Sequence, residues 1–322
     1  MASSRNSPSI DAVEVACAAV VSDAIAQGQH LVVALSGGVD SVVMLDVLQR
    51  HRGAAAYSLS ALHVNHGLSA NSEHWEDFCR RLCDQRGVPL SAVRVVVERN
   101  SADGLENAAR RVRHQAFAEA KGDRIVLGHH RGDQAETLLF NLVRGTGLVG
   151  AAAMAIHQRR LLRPLLGISR NRIEVYARAR GLTWVEDESN RDTAFSRNFL
   201  RHDILEPLRK RFPGAEKNLA AAARRFGESA QLLDELAELD LGDVAANFPF
   251  PLSVLAVLSE RRARNLLRYL LARSGVRIPS EIRLVEILRQ LLSAAPDRHP
   301  RVRFGDWDIL RRRGMVELVR AD

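Results

Sequence analysis

Cysteine is scarce in this sequence, and long hydrophobic runs are absent. Three cysteines are too few, and odd in number, for a disulfide framework. Cys79 and Cys83 lie four residues apart on a predicted helix, where two small, partly buried residues are a simpler interpretation than a metal pair. No stretch is both long and uncharged enough to cross a bilayer, since acidic residues interrupt the apolar segment 13–26. We therefore expect a cytoplasmic protein without disulfides or a membrane partner.

Two common nucleotide-binding motifs are also missing. No Walker loop of the form G-x-x-x-x-G-K-S/T occurs, and the first glycine-rich turn lacks the third glycine of G-x-G-x-x-G. Instead, the apolar run 31–35 breaks into a short polar loop before apolar residues resume at 42–45, which predicts a strand, a tight turn and a helix. The loop residues are Ser36, Gly37, Gly38, Val39, Asp40 and Ser41.

This loop has the composition of a phosphate-binding site. Gly37 and Gly38 lack Cβ, so the backbone can approach a ligand, and the N–H groups that open the next helix favour an anion. A carboxylate beside a phosphate repels it unless a cation lies between them, so Asp40 indicates Mg²⁺ on a triphosphate. A plain strand-to-helix turn with a serine cap is the structural alternative.

The net charge of +8 is carried almost wholly by arginine, because the chain has only three lysines, Lys121, Lys210 and Lys217. From Pro207 onward, 21 basic and 15 acidic residues give +6, which leaves +2 for the first 206 residues. The run Arg311-Arg312-Arg313 adds to this basic end. Such a surface favours a polyanion partner, although an arginine-rich solvated face would explain the charge equally well.

The order of predicted elements indicates an α/β fold followed by a helical region. The first 150 residues or so alternate strand-like stretches, at 31–35, 59–64, 92–97 and 124–127, with helix-like ones. This pattern predicts a doubly wound, mostly parallel, Rossmann-like sheet. After about residue 206 we expect helices at 215–241 and 251–273, a helix opened by Pro279, and a terminal strand pair or small meander.

These patterns predict two domains. We expect residues 1–210 to form the α/β domain and residues 211–322 to form a second, mainly helical domain. In the helix after Pro279, one apolar stripe contains Ile282, Val285, Leu288 and Leu292. The helical domain suits contact with RNA, but a homodimer interface would show the same helices.

Polar side chains follow the second and fourth predicted strands. His63, Asn65 and His66 end the second strand, where they can line the crevice at the carboxyl edge of the sheet or simply form a polar strand exit. Asp133 and Glu136, three residues apart, open the helix after the fourth strand. This carboxylate pair can complete a Mg²⁺ site or orient an amine, or it can be an acidic first turn in which Asp133 is the cap.

A pair of arginines lies on one face of another predicted helix. Arg110 and Arg113 are three residues apart, so their guanidinium groups point the same way and suit a phosphate. Surface salt bridges are the alternative.

Taken together, these blocks resemble the tRNA(Ile)-lysidine synthetase family of the PP-loop ATP pyrophosphatase superfamily. The resemblance covers roughly residues 30–202, including blocks at 144–148, 186–190 and 195–201. It implies that ATP and Mg²⁺ are used to attach L-lysine to the wobble cytidine of tRNA(Ile) with a CAU anticodon, which then reads AUA. It also implies the shorter form of the family, with one small C-terminal domain.

The resemblance implies a role for each matching residue. ATP binds the loop from Ser36 to Ser41 and Arg110, and the metal lies at Asp40. The implied catalytic residues are Asp40, Arg113, His130, Asp133, Glu136 and Arg197. Two positions depart from the family pattern, since His114 stands where tyrosine is usual and Gly132 where a polar residue is common.

Alternative functions make different demands on the sequence. A tRNA thiolase of the same superfamily needs a catalytic cysteine pair near the sheet edge, and none is present. A small-molecule synthetase, such as an NAD or GMP synthetase, does not explain the block from His63 to Leu68 or the basic C-terminal end. A non-catalytic RNA-binding protein has no need for Asp40, Asp133 and Glu136.

Overall fold

The computed structural model describes residues 8–55, 57–101, 104–188, 192–193, 195–295 and 298–321. The chain divides into two compact units, Met1–Gly227 and Glu228–Asp322. The first unit contains six strands and most of the helices that surround them. No helix in the described ranges is long and apolar enough to cross a membrane.

The first unit alternates helices with short strands. Its strands are β1 (His30–Ala34), β2 (Ser58–Asn65), β3 (Leu90–Arg94), β4 (Arg124–Val126), β5 (His157–Gln158) and β6 (Leu161–Leu162). Its longer helices are α1 (Pro8–Ala24), α2 (Val39–Ala55), α3 (Ser72–Arg86), α4 (Leu105–Glu119), α5 (Arg131–Val143) and α7 (Arg170–Ala179). The short α6 (Leu148–Ala151), α8 (Ser196–Phe199), a π-helical segment (Leu200–Leu205) and α9 (Glu206–Arg211) follow α5 or α7, and α10 (Ala215–Leu241) crosses the boundary between the units.

The strands form one mostly parallel sheet in the order β3-β2-β1-β4-β6-β5. All neighbouring pairs are parallel except β5 and β6. The central strand β1 is apolar on both faces, with Leu31, Val32 and Val33 buried, as a strand covered by helices on two sides requires. The predicted α/β class with a mostly parallel sheet is therefore confirmed.

Strand β3 begins earlier than the sequence predicts. The apolar run near residues 95–97 favoured a strand at 92–97, but the ladder pairs Leu90 with Ala61 and Arg94 with Asn65. Val96 is 92% exposed, so this edge strand is defined by its pairing with β2 and not by apolar burial.

The second unit joins helices to a small antiparallel sheet. Its elements are β7 (Phe250–Pro251), α11 (Leu252–Ala256), α12 (Glu260–Arg273), α13 (Glu281–Ser293), β8 (Arg301–Phe304), β9 (Trp307–Arg312) and β10 (Met315–Arg320). The sheet order is β7-β10-β9-β8. The expected terminal meander is present as β8, β9 and β10, with β7 as an added edge strand.

Two details of the second unit differ from the sequence predictions. The single helix expected at 251–273 is two helices, because Ser259 has extended backbone angles at the start of α12. The apolar stripe of α13 is also not its buried face: Leu288 is buried but Ile282 is 85% exposed, while Leu284, Ile287 and Leu291 are buried. Apolar residues lie on both sides of this helix, so periodicity alone did not decide which side faces the core.

The predicted domain boundary at 210 stays a prediction. The last turns before it, in the π-helical segment and α9, belong to the first unit, which extends to Gly227.

Candidate active site

The loop from Ser36 to Ser41 connects the carboxyl end of β1 to the first turn of α2. Gly37 has φ +89°, and a Cβ built on it would lie 2.8 Å from Cγ2 of Val185. The backbone N–H of Val185 also donates to the Gly37 carbonyl at 3.0 Å. Glycine is required here both for the left-handed backbone and for the close approach of the segment that carries Val185.

The two serines of the loop hold its shape. The Ser36 N–H donates to Oγ of Ser41 at 3.2 Å, and the Ser41 hydroxyl donates to the Gly38 carbonyl at 2.8 Å. The Gly38 N–H donates to Oγ of Ser36 at 3.3 Å. The loop is therefore preorganised at the start of a 17-residue helix, where the helix dipole favours an anion.

Asp40 fits a cation-binding role. Its Oδ2 accepts a hydrogen bond from the guanidinium of Arg170, at the start of α7, whereas its Oδ1 is buried and has no hydrogen-bond partner among the described residues. Burial raises the pKa of Asp40 against the opposing effects of His130 and Arg170. A buried carboxylate oxygen without a partner is costly unless a cation or donor reaches it.

The described residues include no group of three or more His, Cys, Asp or Glu side chains placed to hold a metal ion. Mg²⁺ bound through a nucleotide commonly uses only one or two carboxylates, with phosphates and water as the other ligands. Asp40, with its unpaired Oδ1, is suited to that arrangement.

Helix α5 begins with a capping box. Nδ1 of His130 accepts the backbone N–H of Gly132 at 3.0 Å and of Asp133 at 3.3 Å, and Oδ2 of Asp133 accepts the His130 N–H at 2.9 Å. The N-cap residue is therefore His130 and not the expected Asp133, which lies at the third helical position and is the reciprocal partner of His130 in the box. In the neutral ring of His130, this bonding leaves the proton on Nε2.

Asp133 keeps one oxygen for other partners. Its Oδ1 lies 3.5 Å from a guanidinium nitrogen of Arg201. Burial raises the pKa of Asp133, but His130, the hydrogen bond from the His130 backbone and Arg201 outweigh burial and lower it. Asp133 is thus a carboxylate at neutral pH.

Glu136 has both carboxylate oxygens engaged. Nε of Arg201 donates to its Oε1 at 2.7 Å, and a terminal nitrogen of Arg201 donates to its Oε2 at 2.9 Å. Glu136 is 2% exposed. The side chain of Arg201 is 32% exposed, so it is loss of Arg201 that would leave a buried charge, that of Glu136, without its partner. Arg201 lies four residues after Arg197 in the same block, but no sequence motif distinguishes it from the other arginine there.

Arginines from three parts of the first unit form a cluster. Arg110 and Arg113 of α4 interact electrostatically with Arg197 of α8, and Arg110 also interacts with Arg163, which follows β6. Burial lowers the pKa of Arg113 to about 10, and the neighbouring Arg110 and Arg197 act in the same direction. One carboxylate opposes them, since Glu106 lies 3.0 Å from Nε of Arg197. Such an excess of buried positive charge is suited to a bound polyphosphate.

Of the polar residues at the end of β2, His63 and Asn65 make structural hydrogen bonds, whereas His66 interacts with the arginine cluster. Nδ1 of His63 hydrogen-bonds the Leu35 carbonyl at 2.9 Å, which ties β2 to the start of the loop. Asn65 donates to Oε2 of Glu76 on α3 at 3.0 Å, so it holds the strand exit. His66 lies close enough to Arg113 for that charge, together with burial, to lower its pKa to about 4. His66 is thus within electrostatic reach of the arginine cluster.

The acidic block at 186–190 contacts the loop after β2. Oε1 of Glu188 accepts hydrogen bonds from the Ser69 hydroxyl at 2.6 Å and the Asn71 amide at 3.2 Å. Ser189 and Asn190 of this block lie outside the described residues.

Gly128 provides a test of how closely β4 must approach the loop. A Cβ on Gly128 would lie 3.0 Å from the backbone carbon of Asp40 and 3.1 Å from the Ser41 nitrogen. We expect Gly128→Ala to displace the loop by a few tenths of an ångström and, in the reaction proposed below, to lower turnover by about 10²-fold, the usual effect of a small misplacement at a reacting centre. Steady-state kinetics with ATP as the varied substrate measures this.

Gly167→Ala is the matched control, because nothing lies within 4 Å of a Cβ at that position. The control should keep wild-type kinetics. Equal activity of both variants would contradict the close-approach role of Gly128.

Comparison with known proteins adds a second line of observation. Residues 11–208 match the family described as PP-loop domain, and residues 250–316 match the family described as TilS substrate binding domain. The chain is 45% identical over 302 residues to a tRNA(Ile)-lysidine synthase of Nitrosomonas europaea, covering 92% of this chain and 66% of that protein.

Other relatives give the same picture. A tRNA(Ile)-lysidine synthase of an Azoarcus species is 47% identical over 307 residues, covering 93% of this chain and 67% of that protein. A tRNA(Ile)-lysidine synthase of Pseudomonas putida is 41% identical over 305 residues, with coverage of 90% and 70%. The chain thus spans about two thirds of the length of these relatives.

A solved structure supports the fold. The U34-tRNA thiolase of Methanococcus maripaludis is similar with a TM-score of 0.57 and 19% sequence identity, covering 68% of this chain and 79% of that one. At this identity the likeness concerns the fold alone.

All three cysteines of the present chain are buried, and burial raises the pKa of Cys79, on helix α3, to about 12.

Proposed function

The chain belongs to the tRNA(Ile)-lysidine synthase family, and we propose that it ligates L-lysine to C2 of the wobble cytidine of tRNA(Ile) with a CAU anticodon, at the expense of ATP. The observation that carries this proposal is the convergence of the loop, Asp40, Asp133 and the arginine cluster at the carboxyl edge of one parallel sheet. The products are lysidine in the tRNA, AMP and pyrophosphate.

The chemistry needs two steps. The C2 oxygen of cytosine is a poor leaving group, so it first attacks the α-phosphate of ATP, which forms an adenylated cytidine and releases pyrophosphate. The ε-amine of lysine then attacks C2 and displaces AMP. The first step demands stabilisation of negative charge, and the second demands a neutral amine.

We assign the first step to the loop and the arginines. Ser36, Gly37, Gly38, Val39 and Ser41 hold the phosphates through the loop and the start of α2, and Arg110 binds the same nucleotide. Arg113 and Arg197 neutralise charge that develops on the α-phosphate. Asp40 would hold Mg²⁺, which when bound supplies positive charge to the triphosphate.

We assign the second step to Asp133. It is a carboxylate with Oδ1 directed toward Arg201 and not locked in a bidentate pair, so it can hold the lysine ammonium and accept its proton. Both oxygens of Glu136 already bind Arg201, so Glu136 acts by positioning that arginine. His130 supports Asp133 through the capping box and has Nε2 available for substrate.

The direct test is incubation of the protein with ATP, Mg²⁺, radiolabelled lysine and unmodified tRNA(Ile). We expect label in the RNA and release of AMP and pyrophosphate. A tRNA in which the wobble cytidine is replaced by uridine is the matched control and should take up no label. Lack of label in unmodified tRNA(Ile), or equal label in the two tRNAs, would contradict the proposed activity.

We propose that the basic end of the chain binds the tRNA backbone. Arg311, however, does not contribute a phosphate contact to this surface. Its guanidinium donates to the carbonyls of Leu291 and Ala294 at 3.2 and 2.8 Å, so it caps α13 and is structural. Arg312 and Arg313 are exposed at the turn between β9 and β10. We therefore assign phosphate contact to these two arginines.

Reversal of both charges tests this assignment. We expect Arg312→Glu with Arg313→Glu to raise the KM for tRNA about tenfold with little change in the KM for ATP, because backbone contacts position the substrate without touching the reacting atoms. In filter binding across a salt series, the slope of log K against log salt should become less steep by about 0.7–0.9 for each phosphate contact removed.

Arg261→Glu with Arg277→Glu makes the same charge change at two other exposed positions of the second unit. It should weaken tRNA binding much less. Equal weakening by both double variants would assign the effect to net charge and not to the turn.

A further inference from the structure

His129 lies beside the proposed reaction centre, and the mechanism above does not use it. It precedes the N-cap residue of α5 and interacts electrostatically with Asp133, Arg113 and Arg197. His129 therefore sits among the groups that surround the proposed α-phosphate and amine.

Arg163 is buried and contacts His129 directly. It is 3% exposed, and its Nε donates to Nδ1 of His129 at 3.3 Å. A terminal nitrogen donates to the Ala155 carbonyl at 2.7 Å, and the backbone N–H donates to the Ile156 carbonyl at 2.8 Å. These bonds fix the guanidinium between the hairpin of β5 and β6 and the imidazole ring.

This contact determines the tautomer of His129. A guanidinium has only donors, so Nδ1 of His129 must be the acceptor, and in the neutral ring the proton is then on Nε2. Burial lowers the pKa of His129 to about 3; Asp133 opposes this effect and Arg163 adds to it, so the ring is neutral near pH 7. Nε2 has no hydrogen-bond partner in the described part of the chain, which leaves it available to a ligand.

We propose that Arg163 is a positioning residue that holds His129 as a neutral Nε2–H donor to a phosphoryl oxygen in the adenylation step. The nearby Arg113 and Arg197 define an anion site, and a neutral N–H can stabilise charge that develops on such an oxygen without being a proton source. This assignment rests on the proposed function for its chemistry, but the tautomer itself is a property of the ligand-free protein.

Long-range ¹H–¹⁵N NMR of ¹⁵N-histidine-labelled protein near pH 7 tests the tautomer without any substrate. The His129 signals are identified as those absent from His129→Gln. We expect a protonated Nε2 and an unprotonated Nδ1. An Nδ1–H tautomer or an imidazolium would overturn the proposal, whatever the enzyme's activity.

Variants of Arg163 test the cause. Arg163→Met removes every donor, so we expect a mixture of His129 tautomers and a fall in the rate of pyrophosphate release of about 10²-fold. Arg163→Lys keeps a donor and should restore the Nε2–H form together with part of the rate. Arg159→Lys, an exposed arginine of the same hairpin, is the matched control. A fixed Nε2–H tautomer of His129 in Arg163→Met would overturn the role of Arg163. If that variant does not fold, the wild-type spectrum still tests whether His129 is the neutral Nε2–H form.

The two amide substitutions of His129 distinguish this role from packing. Glutamine places its N–H near the position of Nε2, whereas asparagine places its N–H near Nδ1. His129→Gln should therefore release pyrophosphate about tenfold faster than His129→Asn. Equal rates would overturn the donor role. Pyrophosphate release with normal tautomer effects but no lysine in RNA would instead count against the proposed function and leave this inference standing.

Discussion

Asp40→Asn should abolish transfer of lysine to tRNA while the protein stays folded. Asparagine has the same size and can still accept a hydrogen bond from Arg170, but it has no charge to hold a cation beside the triphosphate. Because burial already disfavours the charged carboxylate, removing that charge should not destabilise the ligand-free protein. We expect turnover to fall by about 10³-fold or more, the upper range for loss of one stabilising group.

The ion pair with Arg170 requires its own control. If Asp40 served only to anchor helix α7, then Arg170→Ala would reproduce the defect, since it removes the same ion pair from the other side. We expect Arg170→Ala to lower turnover far less than Asp40→Asn does. These possibilities are separated by measuring turnover over a series of Mg²⁺ concentrations, and thermal unfolding checks that each variant is folded. Near-normal turnover of Asp40→Asn at limiting Mg²⁺ would contradict the metal-binding role of Asp40.

The parts of the site that sequence predicts well are local. The loop from Ser36 to Ser41 is a continuous motif between an apolar strand and a helix, so its shape follows from a few adjacent residues. The parallel sheet follows from the alternation of strands and helices, and all four predicted strands exist, although β3 is shifted toward Pro89. Pairing with β2 defined that edge strand, and pairing is not visible in the composition of one segment.

The contacts that assign roles are not local. Glu136 and Arg201 are 65 residues apart, and only the fold shows that both oxygens of this glutamate are occupied. Adjacent His129 and His130 are equivalent by sequence, yet one contacts a buried arginine while the other caps α5. Arg311 and Arg312 are likewise neighbours in a basic run, and only backbone carbonyls at the end of α13 distinguish them.

Loss of the two clustered arginines of α4, Arg110 and Arg113, should slow adenylation strongly. We expect Arg110→Ala with Arg113→Ala to lower the rate of ATP-dependent pyrophosphate release by at least about 10²-fold, because both guanidinium groups belong to the arginine cluster that we propose compensates the triphosphate charge. Arg111→Ala is the matched control on the same helix, since Arg111 is exposed and lies 3.7 Å from Glu98 in a surface ion pair. That variant should keep its rate within about twofold.

The same double variant should also reveal why the cluster exists. Burial and mutual repulsion lower the pKa of Arg113 to about 10, which means that the charged cluster opposes folding until an anion binds. Without ligand, the double variant should therefore unfold at the same temperature as the wild type or higher. With ATP, the wild type should gain thermal stability and the variant should gain little, because the linkage between binding and stability requires those charges. Differential scanning fluorimetry across an ATP series measures both effects, and an ATP-induced shift of equal size in the two proteins would place Arg110 and Arg113 outside the nucleotide site.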